Sequence, residues 1–150
     1  MRTIERDIVG GFIFSQDGKV LLGNNRDGGV YEGSFCVPSG GIEPGETKIQ
    51  ALAREMSEET GIDINRGQIA EVNLSDGEHE KTLRDTQERV FVKMKFYDFR
   101  IDLPYNAQHI EVCAEDDWIN PYWFSSDEAK QQNLASPTRR TLLKIGFLLD

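Results

Sequence analysis

Between Gly40 and Ile62 the chain reads GGIEPGETKIQALAREMSEETGI, a glycine-rich turn that passes directly into a helix-forming run. A strand-like triplet, Phe35-Cys36-Val37, leads into it and is stopped by Pro38, because proline has no amide to give a sheet ladder. Pro44 and Gly45 set the turn, and Gly61 supplies a left-handed cap, so a helix is expected over residues 47–60. Its apolar members Ile49, Leu52, Ala53 and Met56 recur at helical spacing and read as one buried stripe. Strand, tight turn and amphipathic helix in so short a stretch favour folds in which a helix lies across a sheet.

At about 3.6 residues per turn, Glu55, Glu58 and Glu59 project together from this helix, on a sector apart from the apolar stripe. Like charges at this spacing repel by about 0.2–0.5 kcal/mol per pair on an exposed helix, and by more where water is excluded. Glutamate-rich faces also occur on ordinary solvated helices, so the three acids alone decide little. Their neighbours add the chemistry. A glycine loop opens the helix and lets backbone approach a ligand or ion closely. Glu46, eight residues before Arg54, is placed to pair with it. A hard divalent cation removes the repulsion, since Mg²⁺ and Mn²⁺ take oxygen ligands, often one or two carboxylates with substrate phosphate.

The rest of the chain supplies strands and a second helix. Ile8 to Phe14 and Lys19 to Leu22 flank Ser15-Gln16-Asp17-Gly18, a hairpin signal. Residues 24–34 and 76–88 read as loops or a hairpin tip, and 69–74 as a strand. Alternation from Arg89 to Arg100 marks a further strand, Tyr122-Trp123-Phe124 the last one, and Pro137 to Leu149 a closing helix. Mixed strands with helices on opposite faces give an α/β sandwich of a single domain over residues 1–150.

Composition narrows the partners. A net charge of −9 argues against a nucleic-acid duplex, which calls for clustered Lys and Arg, but not against a small phosphorylated ligand held through divalent ions. No apolar run approaches the roughly 20 residues of a membrane span, and the acidic N-terminus is unlike a secretory signal. Two cysteines, Cys36 and Cys113, lack metal-site spacing and are expected as buried or half-buried thiols of a cytoplasmic protein.

The residues Gly40, Glu46, Arg54, Glu55, Met56, Glu58, Glu59, Gly61 and Ile62 meet every position of the Nudix box, and the chain therefore resembles the Nudix hydrolases. The usual Pro-Gly-Gly before the box is Pro38-Ser39-Gly40 here. The resemblance implies an αβα sandwich around a mixed sheet. It also implies a Mg²⁺- or Mn²⁺-dependent enzyme that cuts the diphosphate bond of a nucleoside diphosphate linked to another group, a nucleoside triphosphate or nucleotide sugar above all. Carried over by position, Glu55, Glu58 and Glu59 are metal-binding acids with the Gly40 carbonyl as a further ligand. Glu55 or Glu58 serves as general base, and Arg54 orients the acid while held by Glu46.

Relatives also use an acid from a loop before the last strand, and Glu115, Asp116 and Asp117 occupy that stretch, with Asp117 preferred. Tyr31 and Trp118, read as loop residues, are the aromatics expected to stack a substrate base, whereas Phe35 and Trp123 are expected in the core. His109 stands in a loop similar to the one that carries the catalytic histidine of GDP-mannose mannosyl hydrolases. That branch lacks one box glutamate, and none is missing here. A non-enzymatic nucleotide-binding domain on the same fold is the remaining alternative, and a homodimer is an assembly the sequence leaves open.

Overall fold

A computed structural model describes residues 1–26 and 33–149 of the chain. Its centre is β1 (Arg2–Phe14), which pairs in parallel with β5 (Arg89–Asp102) and antiparallel with β2 (Val20–Asn25) and the short β3 (Ser39–Gly41). β4 (Gln68–Thr82) lies outside β5, and β6 (Trp118–Phe124) lies outside β2, giving the order β4-β5-β1-β2-β6 with β3 on β1. One parallel pairing among antiparallel ones makes the sheet mixed.

Alternation along β1 decides how the sheet is covered. Val9 and Ile13 point to one face, where Leu52 and Met56 of α1 (Lys48–Thr60) pack with Phe99 and Ile101. Phe12 and Phe14 point to the other, against Ala129 of α2 (Ser126–Lys130), Leu142 of α3 (Ser136–Lys144) and Leu148. The expected αβα sandwich is the observed architecture.

α1 begins where the Thr47 hydroxyl accepts from the Gln50 amide at 3.1 Å and the Gln50 side chain accepts from the Thr47 amide at 2.9 Å. This reciprocal pair satisfies two amides that the first turn leaves free. Gly61, at φ 73°, closes the helix, and the Thr60 carbonyl at that end accepts from the Cys113 amide at 2.9 Å.

Several elements differ from expectation. Residues 35–37 form only isolated bridges, Gly23 with Cys36 and Phe35 with Leu134, and the ladder beside β1 is made by Ser39–Gly41 instead. The polar stretch after Leu74 continues as strand to Thr82, because β5 supplies a backbone partner for each residue and neither side-chain face has to be apolar. The closing helix ends at Lys144, where the chain folds back and the Phe147 and Leu148 amides both donate to the Leu142 carbonyl. Ile49 is 46% exposed, and the buried face of α1 runs through Ala51, Leu52, Glu55, Met56 and Glu59. Cys113 is exposed rather than buried. No helix among the described residues is long and apolar enough to cross a membrane.

Candidate active site

Arg54 is the hub of the residues gathered between β3 and α1. Its Nε donates to Glu46 Oε2 at 2.8 Å and its Nη2 to Glu46 Oε1 at 2.9 Å, a two-pronged grip on one carboxylate. Nη2 also donates to the Gly41 carbonyl at 2.9 Å, while Nη1 donates to Glu55 Oε1 at 2.8 Å and Glu58 Oε2 at 3.3 Å. Glu46 in turn accepts from the Glu43 amide at 2.8 Å, which ties the turn to the helix. Held by Arg54 first and by that amide second, the Glu46 carboxyl is lowered to about 2. Glu43 stands 3.8 Å from Arg54, an acid the sequence reading did not single out.

The three box glutamates do not share one environment. Glu55 and Glu59, one turn apart, are buried at 8% exposure each, whereas the Glu58 side chain is 56% exposed at the rim. Glu55 lies over β3. A Cβ on Gly40 would overlap its carboxylate, so glycine at that position is what allows helix and strand to meet. Burial raises the Glu55 carboxyl, with Arg54 opposing. Burial raises Glu59 as well, and there the charges of Glu55, Asp116 and Asp117 add to it.

Carboxylate oxygens of Glu59, Asp116 and Asp117 lie within 4.8 Å of one another. Among the described residues, Glu59 Oε2 is buried and has no hydrogen-bond partner. A buried carboxylate oxygen without a donor is costly, and here it faces further acids. The donor set is all oxygen, the choice of a hard divalent cation and not of a thiophilic one. The residues fit such an ion.

Of the two aromatics expected to stack a base, only Trp118 is among the described residues, and Tyr31 lies outside them. Trp118 is not on a loop: it opens β6, is 2% exposed, packs beside Gly23 and donates from its indole Nε1 to the Cys36 carbonyl at 3.1 Å. Its ring faces are spent on the core, which leaves none for a ligand. Trp123 and Phe35 are half-buried and pack against the two cores, as expected. His109 is exposed in a single 3-10 turn, Ala107–His109. That loop is fastened to the β1–β2 turn, by Gln16 to Tyr105 and by Ala107 to Asp17, at the end of β1 away from the residues that pair with Gly40.

A cavity of about 150 Å³ lies across β3 on the α3 side, walled by Phe12, Ser39, Ser75, Phe96, Asp98 and Thr138 among others. Asp98 accepts from the Thr141 hydroxyl at 2.7 Å, and its burial raises the carboxyl. Nothing in the sequence pattern separated this acid from the other charged residues of β5.

The profile of the NUDIX domain family matches residues 5–144. The chain belongs to the Nudix family. Nucleoside triphosphatase NudI of Salmonella agona (strain SL483) is 29% identical over 138 residues, covering 91% of this chain and 94% of that protein. Among solved structures, the E. coli dihydroneopterin triphosphate pyrophosphohydrolase aligns with TM-score 0.66 at 20% identity over 91% of both chains. The NUDIX domain of Shewanella oneidensis NrtR, complexed with ADP ribose, aligns with TM-score 0.67 at 16% identity, over 95% of this chain and 86% of that one. At such identities the two structures establish the fold. This Nudix chain is a hydrolase of pyrophosphate bonds. Hydrolases of the family generally act with divalent metal ions.

Proposed function

We propose that this Nudix enzyme uses Mg²⁺ or Mn²⁺ to hydrolyse the diphosphate bond of a nucleoside diphosphate linked to a further group, with nucleoside triphosphates as the preferred class. The observation that carries the reading is the buried Glu59, whose Oε2 has no hydrogen-bond partner among the described residues and whose carboxylate stands with those of Asp116 and Asp117, beside the buried Glu55. The nucleoside triphosphatase activity named for the Salmonella relatives supports the substrate class.

Glu55, Glu59, Asp117 with Asp116 and the Gly40 carbonyl are the groups that would hold the metal. When bound, it offsets phosphate charge and makes a water more acidic. Arg54, braced by Glu46, fixes the Glu55 carboxylate over Gly40 so that it serves as ligand rather than base. Glu58, exposed and held by one longer bond, is free to take the proton from the attacking water. As the water oxygen bonds to phosphorus, the bridging oxygen leaves with the electron pair of the broken bond, and the two phosphate fragments separate.

The nucleoside end of the substrate is assigned to the cavity on the α3 side, where Ser39 adjoins Gly40. Phe96 and Phe12 offer the apolar wall that Trp118 does not. The deciding experiment is product release from a panel of nucleoside triphosphates and nucleotide sugars, with Mg²⁺, with Mn²⁺ and with chelator. Turnover of at least one triphosphate that chelator abolishes is expected. Silence across the panel with both metals would overturn the reading.

A further inference from the structure

Three successive carbonyls precede the buried start of β6, and all three accept from a single residue. Arg26, just past the end of β2, donates from Nη2 to the Glu115 carbonyl at 2.9 Å and from Nε to the Asp116 carbonyl at 2.8 Å. Its own amide donates to the Asp117 carbonyl at 2.7 Å. A guanidinium presents donors in a fixed planar fork, so it spans two neighbouring carbonyls in a geometry that a flexible ammonium does not preset.

The segment held in this way is a connector with little else to order it. Glu115, Asp116 and Asp117 are exposed and belong to no strand or helix, and the next fixed points are Cys113 at the end of α1 and Trp118 in the core. Acids on such a connector would repel one another and move apart. Asp116 and Asp117 instead bring carboxylate oxygens to within 4.8 Å of each other and of Glu59, whose buried Oε2 lacks a hydrogen-bond partner among the described residues. Nothing among the carbonyl contacts touches those carboxylates: Arg26 binds the backbone and leaves the acids free.

From this geometry we infer that Arg26 is a positioning residue for the enzyme's cation, a backbone clamp that presents Asp116 and Asp117 to the ion shared with Glu59. The inference rests on the metal site proposed above. A clamp that binds ligand-bearing backbone acts on ion affinity before it acts on turnover, and partners of this kind typically contribute about 10–100-fold in metal affinity.

The test is Mn²⁺ binding to the full-length protein without nucleotide, read by electron paramagnetic resonance of free Mn²⁺, so that no turnover is needed. Arg26→Ala should weaken the Mn²⁺ Kd by about tenfold, with the thermal midpoint within a few degrees of wild type, and Arg26→Lys should recover only part of the loss. Because Arg26 acts through the two aspartates, Arg26→Ala placed on Asp116→Asn/Asp117→Asn should add less than about twofold, the signature of coupled positions in a double-mutant cycle. An equal loss in both backgrounds, or wild-type affinity in Arg26→Ala, overturns the clamp. Glu59→Gln separates the two levels. If it binds Mn²⁺ poorly while Arg26→Ala binds normally, the metal site stands and the clamp falls; if Glu59→Gln also binds normally, the site itself falls and the clamp with it.

Discussion

On the exposed half of β1, β4 and β5 four acidic residues have lysines across the ladder, whereas along the buried side of α1 acids crowd together. Glu5 and Glu78 flank Lys93, and Asp7 and Asp76 flank Lys95, all exposed and all on strands already joined through their backbones. At the site, Glu55 and Glu59 are buried, Asp116 and Asp117 stand close by, and Arg54 is the cation that meets Glu55. Exposed charges in alternation cost little and keep a long arm of sheet in water. Buried charges of one sign raise the free energy of the empty fold, and a chain keeps them where a ligand supplies the opposite charge. The contrast separates architecture from function within one small sheet.

The contrast breaks most severely at Gly40. Gly40→Ala sets a methyl group against the Glu55 carboxylate, and kcat/KM should fall by about 100-fold or more, as for a misplaced catalytic group. Overpacking should also remove about 1–3 kcal/mol of stability. Steady-state kinetics with urea titration read both, and wild-type turnover would mean that Glu55 does not need its place over β3.

Loosening the brace comes next. Glu46→Gln halves the grip on Arg54, and kcat should fall about 10–100-fold, the range for groups that orient site residues. The pH dependence has a definite sign. Glu46 is lowered from 4.5 to about 2 in the fold, so its stabilisation is present above pH 4.5 and is lost as pH falls toward 2. Melting curves over that window should slope less steeply in the variant, and equal slopes would remove Glu46 from the network.

Asp98 sharpens the comparison from the other face of the sheet. Burial raises its carboxyl, so the contribution is greatest below its ordinary value of 3.8 and is lost as pH rises through the higher value in the fold. Asp98→Asn should be more stable than wild type at pH 7 by on the order of 1 kcal/mol, with the gain shrinking at pH 4. Denaturant midpoints at the two pH values check it, and a gain that does not shrink would exclude ionisation as the cause.

The smallest effect belongs to the arm. Arg2 pairs with Glu88 at 2.8 Å, both side chains well exposed. Arg2→Ala should cost less than about 0.5 kcal/mol and leave turnover unchanged. A larger cost would mean that charges on the arm do structural work after all.

Much of this was legible because local signals agreed. Thr47, Pro44 and Gly61 bound α1 to within a residue, and the Asp17-Gly18 turn marked the first hairpin. The family is written in the box residues themselves, from Gly40 to Ile62. What escaped the sequence was burial decided by distant partners. Ile49 fits the apolar period yet faces water, because the site places Glu55 and Glu59 on the side of α1 turned toward β3 and the acidic connector. Trp118 reads as a loop residue until Gly23 and the Cys36 carbonyl, remote in sequence, make a slot for it. The polar half of β4 has strand conformation because β5 lies beside it, and no local alternation announces that. Arg26 is one more charged residue in a polar run until the three carbonyls are seen together.

The parallel pairing of β1 with β5 has a consequence for how the enzyme comes into being. Its partners stand 88 positions apart, from Arg2 opposite Val90 to Phe14 opposite Asp102 (90 minus 2, and 102 minus 14). Closing so long a loop is entropically expensive and slow, and the whole segment from Gly40 to Glu59 lies inside it. A nascent chain therefore holds every box residue, with β1, β2 and β3 beside them, well before β5 and β4 complete the sheet, and Asp116 and Asp117 emerge later still. Competence arrives late in synthesis, as a property of the finished topology.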